Sequence, residues 1–160
     1  MERDTAHVIA PPPLMALAVV VLGLFLDRAL PAYVLYVLLS LAERVAIAAP
    51  LILAGAALAV PAIFGFRAAR THVEPWKPST ALVTVGIFAW LRNPMYVGGT
   101  LFLVGLAVLL ASDWMVVLTV VFGLVMHFGV VKREERYLES KFGDTYRRYM
   151  AAVPRYGIRL

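Results

Sequence analysis

The chain has 160 residues and a net charge of +5, with 62% hydrophobic and only 16% charged residues. A soluble domain carries about 45–50% apolar and about 25% charged residues, so the composition argues against an ordinary soluble fold; the apolar excess lies in long runs, as in membrane spans. The absence of cysteine removes disulfides, thiolate nucleophiles and Cys-ligated metals, and most basic residues flank apolar runs, which suits lipid headgroups rather than nucleic acid.

Met1 to His7 carries both charge signs, and Pro11-Pro12-Pro13 opens the first apolar run. That is unlike a cleavable signal, so a retained segment is expected. The run from Val8 to Leu26 reads as a first helix, with Pro13 tolerated in its opening turn and Asp27-Arg28 closing it. Pro31 to Leu41 is short, holds Tyr33 and Tyr36, and lies between the charged pairs Asp27-Arg28 and Glu43-Arg44. It reads as an interfacial linker, the alternative being the start of one long helix. Val45 to Phe66 is long enough to span about 30 Å of hydrocarbon at about 1.5 Å per residue. Pro50 and Pro61 are candidate kink sites, and Arg67 and Arg70 end it.

His72 to Pro78 is a polar, proline-rich loop, and Ser79 to Trp90 reads as irregular backbone with a short helix. Met95 to Ala111 and Trp114 to Val131 are two further spans, joined by Ser112-Asp113, a link short enough to force an antiparallel hairpin. Gly98, Gly99, Gly105, Gly123 and Gly129 allow close helix approach. In Arg133 to Met150, Leu138, Phe142, Tyr146 and Tyr149 recur every three to four residues with charges elsewhere, as in an amphipathic helix. Gly143 marks a bend or break there. The expected fold is thus one all-α integral membrane domain over residues 1–160. It has about four transmembrane helices, a C-terminal hairpin and an amphipathic tail helix. Residues 1–66 form its N-terminal helices, and residues 67–160 its loop, hairpin and tail. Arg67, Arg70, Lys77 and Arg92 in the loop, with eight basic residues from Lys132 to Arg159, place both loop and tail in the cytoplasm by the positive-inside rule.

Several polar residues fall at adjacent membrane exits. In Arg92-Asn93-Pro94-Met95-Tyr96, proline biases Asn93 away from helix and opens the next helix. Arg92 and Asn93 then stand at a helix N-terminus, where free N–H groups favour an anion such as a carboxylate; a snorkelling arginine beside a capping asparagine is the plainer reading. Glu134 and Glu135 lie just past the last span, either as solvated charges or as pocket carboxylates with basic partners nearby. His127, two turns before Glu134, shares a face with it at about 10 Å if the helix is regular. It is either a functional group within a span or a hydrogen-bonding packing residue. The three histidines His7, His72 and His127 show no metal-ligand spacing, and no metal is expected.

Taken in order, Leu82-Val83-Thr84-x-Gly86, Arg92-Asn93-Pro94-x-Tyr96, Glu134-Glu135, Phe142-Gly143, Tyr146 and Val153-Pro154 resemble the isoprenylcysteine carboxyl methyltransferase family. Its relatives include phospholipid methyltransferases and many small bacterial membrane proteins. The resemblance runs from about Arg70 to Tyr156. It implies an S-adenosylmethionine-dependent membrane methyltransferase acting on a lipid-like or prenylated acceptor, multi-pass in a bacterial inner membrane, with its pocket facing the cytoplasm. By motif it implies cofactor contacts from Thr80, Ala81, Leu82, Val83, Phe88, Asn93, Pro94, Met95, Tyr96 and Glu134. Arg92, Glu134 and Glu135 are the candidate catalytic groups. The family's arginine one turn before the matching glutamate is Val130 here, Phe88 replaces a tyrosine, and Asn93 stands where histidine is frequent. Two rival readings stay open. One is an NADPH-dependent reductase of the sterol reductase type, which Met95 disfavours because those enzymes carry asparagine there. The other is a non-catalytic lipid-binding membrane protein. The acceptor could equally be a phospholipid amine, reached sideways from the bilayer through a groove beside Gly98 and Gly99.

Overall fold

The computed structural model describes residues 4–157; Arg159, which enters the charge argument, lies outside them. The elements follow in the order α1 (Pro12–Ala29), α2 (Val34–Leu38), α3 (Leu41–Ala68), a 3-10 turn (Gly86–Ala89), α4 (Pro94–Leu110), α5 (Asp113–Met126), a π-helical turn (His127–Val131) and α6 (Lys132–Ala152). Asp113 to Ala152 runs as one helical segment through the π turn and a kink in α6; its apolar part up to Val131 forms a span and α6 is its polar continuation. α1, α3 and this segment are long and apolar enough to cross a membrane. α4, an apolar helix of 17 residues, extends about 25 Å and lies along α3. The architecture is the expected all-α integral membrane fold, and the chain crosses the membrane more than once.

The bundle is built with its large side chains outward. Leu17, Phe25, Leu53, Phe64, Val120 and Leu124 are exposed, while Ala48, Ala62, Gly98, Gly105 and Ala107 are buried. Lipid tails are as apolar as leucine, so bulky side chains lose nothing by facing out, and small residues let backbones approach. The α3–α4 seam depends on this. A Cβ at Gly98 would stand 2.5 Å from the Gly55 carbonyl oxygen, and one at Gly55 2.6 Å from that of Gly98. The groove expected beside Gly98 is therefore absent, because α3 fills that face. Gly99 is different: nothing lies within 4 Å of a Cβ placed there. We expect Gly98→Leu to destabilise the fold by at least the roughly 1–3 kcal/mol typical of overpacking, read as a drop in the thermal midpoint in detergent, with Gly99→Leu near the unmodified protein.

Several boundaries move from the sequence expectation for identifiable reasons. α3 starts at Leu41 rather than Val45, because Ser40 and Glu43 form a reciprocal capping box. It runs on through Pro50 and Pro61. The 31–41 stretch is a linker around the single turn α2, whose first amides, Val34 and Leu35, donate to Asp113 at 2.8 and 3.0 Å. Asp27 lies inside α1 and accepts from the Trp114 amide at 3.3 Å. These contacts tie together the bundle end away from the basic loop. At the basic end, Gly143 adopts φ 55° and ψ −129° and kinks α6, as a residue without Cβ can. Ile9 N–H donates to the Gly129 carbonyl at 3.3 Å, and the Ile9 side chain occupies the space a Cβ at Gly129 would need. The N-terminal segment is thereby seated on the π turn.

Candidate functional site

At the basic end, two adjacent pockets, the limbs of one candidate site, share part of their walls. The larger, about 260 Å³, is mostly apolar and lies between the start of α1 (Pro12, Pro13, Ala16), α4 (Met95, Tyr96, Gly99) and α5 (Phe122, Met126). The narrower, about 50 Å³, lies between the loop after α3 and the start of α6, with Ala81, Leu82, Val83, Glu135, Leu138, Tyr146 and Tyr149 in its walls. Phe66, Val73, Glu74, Pro75, Phe88, Arg92, Asn93 and Glu134 line both and form the wall common to the two.

Local structure explains how the polar groups get there. Pro94 opens α4 as its first residue, and Asn93 sits just before it in a non-helical conformation, φ −125° and ψ 53°. Asn93 does not cap the helix, however. Its Nδ2 donates to the Arg155 carbonyl at 3.2 Å, and the Arg92 amide donates to the Pro154 carbonyl at 3.0 Å. The C-terminal Val153-Pro154-Arg155 stretch thus pairs with the chain entering α4. Tyr149 adds a hydrogen bond from its hydroxyl to the Phe88 carbonyl at 2.7 Å.

Two carboxylates of adjacent sequence have different surroundings. Glu134 Oε2 accepts from the Tyr96 hydroxyl at 2.7 Å, and the carboxylate faces both limbs. Glu135 is buried and accepts two bonds from Arg155, at 2.8 and 2.7 Å, the bidentate fork that guanidinium geometry favours. It also lies 2.8 Å from Arg92 Nη1. This last approach is an ion pair off the hydrogen-bond direction, since Nε and Nη1 of Arg92 have no hydrogen-bond partner among the described residues. The Arg92 side chain is only 9% exposed. Two donors of this buried guanidinium, which lines both limbs, are thus left without a hydrogen bond among the described residues. At the loop rim, a hydrogen bond from Lys77 holds the Glu74 carboxyl below the usual carboxylate range.

Of the residues singled out from sequence, Phe88, Arg92, Asn93, Pro94, Met95, Tyr96 and Glu134 line the large limb, and Ala81, Leu82, Val83 and Glu135 the narrow one. Thr80 is not brought to either limb. It is exposed, its amide donates to Thr71 Oγ1 and its hydroxyl to the Arg70 carbonyl. His127 does not join Glu134 either. The π turn changes the helical register between them, and His127 Nδ1 lies 2.8 Å from the Tyr156 hydroxyl instead. Val130, at the position of the family's arginine, is fully buried in the core with Val19, Leu103, Phe122 and Met126. Sequence reasoning missed the α1 wall, Phe66 and the Val73–Trp76 wall. Apart from Glu74 these carry no polar signature, and only tertiary packing brings them in.

Comparison with known proteins gives three findings. The phospholipid methyltransferase family matches residues 43–145. A 76-residue stretch is 42% identical to a Protein-S-isoprenylcysteine O-methyltransferase of Schizosaccharomyces pombe, covering 46% of this chain and 31% of that protein. A 37-residue stretch is 54% identical to an uncharacterized protein of Haemophilus influenzae, covering 23% of this chain and 59% of the other. The chain therefore spans less than two thirds of either relative.

Proposed function

This chain belongs to the phospholipid methyltransferase family, and on that premise we propose that it is a membrane methyltransferase that draws its methyl group from S-adenosylmethionine. The acceptor is a lipid-like or prenylated molecule, and the relative named for isoprenylcysteine O-methylation supports that class. One observation carries the reading: a polar limb and an apolar limb of one candidate site share Arg92, Phe88 and Glu134. A water-soluble, charged donor and an apolar acceptor need such a junction. The basic loop and tail support a site on the cytoplasmic face of a bacterial inner membrane.

The residues present fit the donor. Arg92, with its unmet buried donors, would hold the carboxylate. Glu134 would hold the ammonium or the ribose hydroxyls, and the faces of Phe88 and Tyr96 suit a sulfonium. Ala81, Leu82 and Val83 would enclose the nucleoside, with Asn93, Pro94 and Met95 closing the far wall. Thr80 is placed to support this loop through its bonds to Thr71 and Arg70 rather than to touch the donor. When bound, S-adenosylmethionine supplies a methyl carbon activated by its sulfonium. The protein's part is then to align that carbon with the acceptor and exclude water. Tyr96 holds Oε2 of Glu134, which leaves Oε1 to accept the proton of an amine acceptor; a carboxylate acceptor needs no base. Glu135, whose two oxygens are taken by Arg155 and Arg92, fixes the guanidinium of Arg92. Pro12, Pro13, Ala16 and Phe66 from the N-terminal helices join Met95, Gly99, Phe122 and Met126 in the apolar wall, so both halves, residues 1–66 and 67–160, act as one domain.

The acceptor reaches the large limb sideways, past α1. Gly99 lines that limb and has open space around an added Cβ, so Gly99→Leu would narrow the limb. Its expected effect is a loss of methyl transfer from labelled S-adenosylmethionine to long-chain acceptors, with S-adenosylhomocysteine affinity unchanged. Equal turnover by the variant, or equal methylation of a short water-soluble acceptor, would contradict this route.

A further inference from the structure

The narrow limb has about 50 Å³ of room, whereas small-molecule and cofactor pockets run to roughly 300–1,000 Å³. A nucleoside therefore enters only if one wall yields. One wall is α6. The other is the loop from His72 to Ser79, which contributes His72, Glu74 and Ser79 to the lining and leaves Lys77 and Pro78 exposed.

The stem of this loop is fixed, because Thr71 Oγ1 accepts from the amides of Thr80 and Ala81 at 2.9 and 3.3 Å. Within the loop, Lys77 pairs with Glu74, which stiffens it without fastening it to anything else. The bond that carries the loop onto α6 runs from the Ser79 amide to the Tyr137 hydroxyl, at 3.0 Å. The same hydroxyl accepts from Lys141 Nζ at 3.1 Å and donates to the Asp4 carbonyl at 3.3 Å. A phenol offers one donor and two acceptor positions, and all three are used here. Lys141 also pairs with the Asp4 carboxylate. Loop, tail helix and N-terminal segment thus meet at one oxygen, close to the polar limb but outside it.

Resting on the function proposed above, we propose that Tyr137 is a positioning residue that holds the 72–79 loop shut over the bound donor and so sets how long the donor stays. The ring packs under Lys141 at 5.4 Å, and Tyr137→Phe keeps that contact while removing the hydroxyl. The test uses the full-length protein in detergent. It measures S-adenosylhomocysteine association and dissociation rates, and hydrogen–deuterium exchange of the bound protein. The expected result is dissociation faster by roughly three- to ten-fold, the worth of one net hydrogen bond, with association unchanged or faster. Exchange should rise in residues 72–79 but not in α3 or α4. In turnover, KM for S-adenosylmethionine should rise while kcat holds. Unchanged dissociation would overturn the proposal. So would a rise in exchange spread over α3 and α4, since that marks general destabilisation. If the unmodified protein does not bind S-adenosylhomocysteine, the proposed function fails first and takes this role with it. If it binds tightly and the variant binds with the same kinetics, only the role of Tyr137 fails.

Discussion

Glu134→Gln should weaken S-adenosylhomocysteine binding by about 10- to 100-fold, while Glu139→Gln leaves it unchanged. Both substitutions remove one negative charge from α6 and keep the side chain's shape. They differ in place. Glu134 faces both limbs of the cavity, with its carboxylate held by Tyr96. Glu139 sits on the outer side of α6, near Arg147 at 3.6 Å. Hydrogen bonds to a charged group contribute about 1.5–3 kcal/mol, which converts to the stated range. Glutamine can still accept from Tyr96, so packing at the site is preserved and the loss reports on charge. Calorimetric titration of the two variants side by side checks this. Equal losses would mean that the effect is the net charge of the tail rather than a contact in the cavity.

The largest effect on stability is expected from Glu135→Ala. This carboxylate is paired with two guanidinium groups, and with Arg92 the pair is nearly removed from solvent, at 11% and 9% side-chain exposure. Removing one partner of such a pair leaves a buried charge uncompensated, at a cost of about 3–5 kcal/mol. Arg155 is a third exposed and can turn to water, so Arg92 carries most of that cost. The change also removes the bidentate tie between the Arg155 side chain and α6. A large fall in the thermal midpoint is therefore expected, with S-adenosylhomocysteine raising the midpoint less than in the unmodified protein. Arg147→Ala is the control: it breaks exposed pairs with Asp144 and Glu139 and should leave the midpoint where it was. A Glu135→Ala midpoint equal to that of the control would remove Glu135 from its positioning role.

The elements were largely legible because each span announces itself locally. The Ser112-Asp113 link between two apolar runs could only be a hairpin, and the Pro94 start of α4 was written in the chain. Ser40 and Glu43 spell a capping box, yet the charged pair Glu43-Arg44 suggested a boundary, and the start of α3 was placed four residues late. Gly143 was readable as a break because glycine tolerates the backbone angles found there. The π turn at 127–131 was not readable. No residue pattern encodes an extra backbone residue per turn, and with the register shifted, His127 went to Tyr156 rather than to the face of Glu134. Glycines told that helices approach closely but not on which side, so Gly98 was assigned to a groove that α3 fills. At the site, motif residues gathered as expected because they lie at two adjacent helix ends. The partners of Glu135, the α1 wall and the Tyr137 junction arise from contacts more than a hundred residues apart in part, such as Tyr137 with Asp4, and no local signal marks them.

The central claim, that the cavity shared by α4, α6 and the 72–83 loop is an S-adenosyl site, is tested most directly by titrating the purified full-length protein with S-adenosylhomocysteine and, separately, with NADPH. Saturable binding of S-adenosylhomocysteine that Glu134→Gln weakens, with no saturable binding of NADPH, is the predicted result. Saturable binding of NADPH alone, or of neither ligand by protein that is folded in the same detergent, would contradict it.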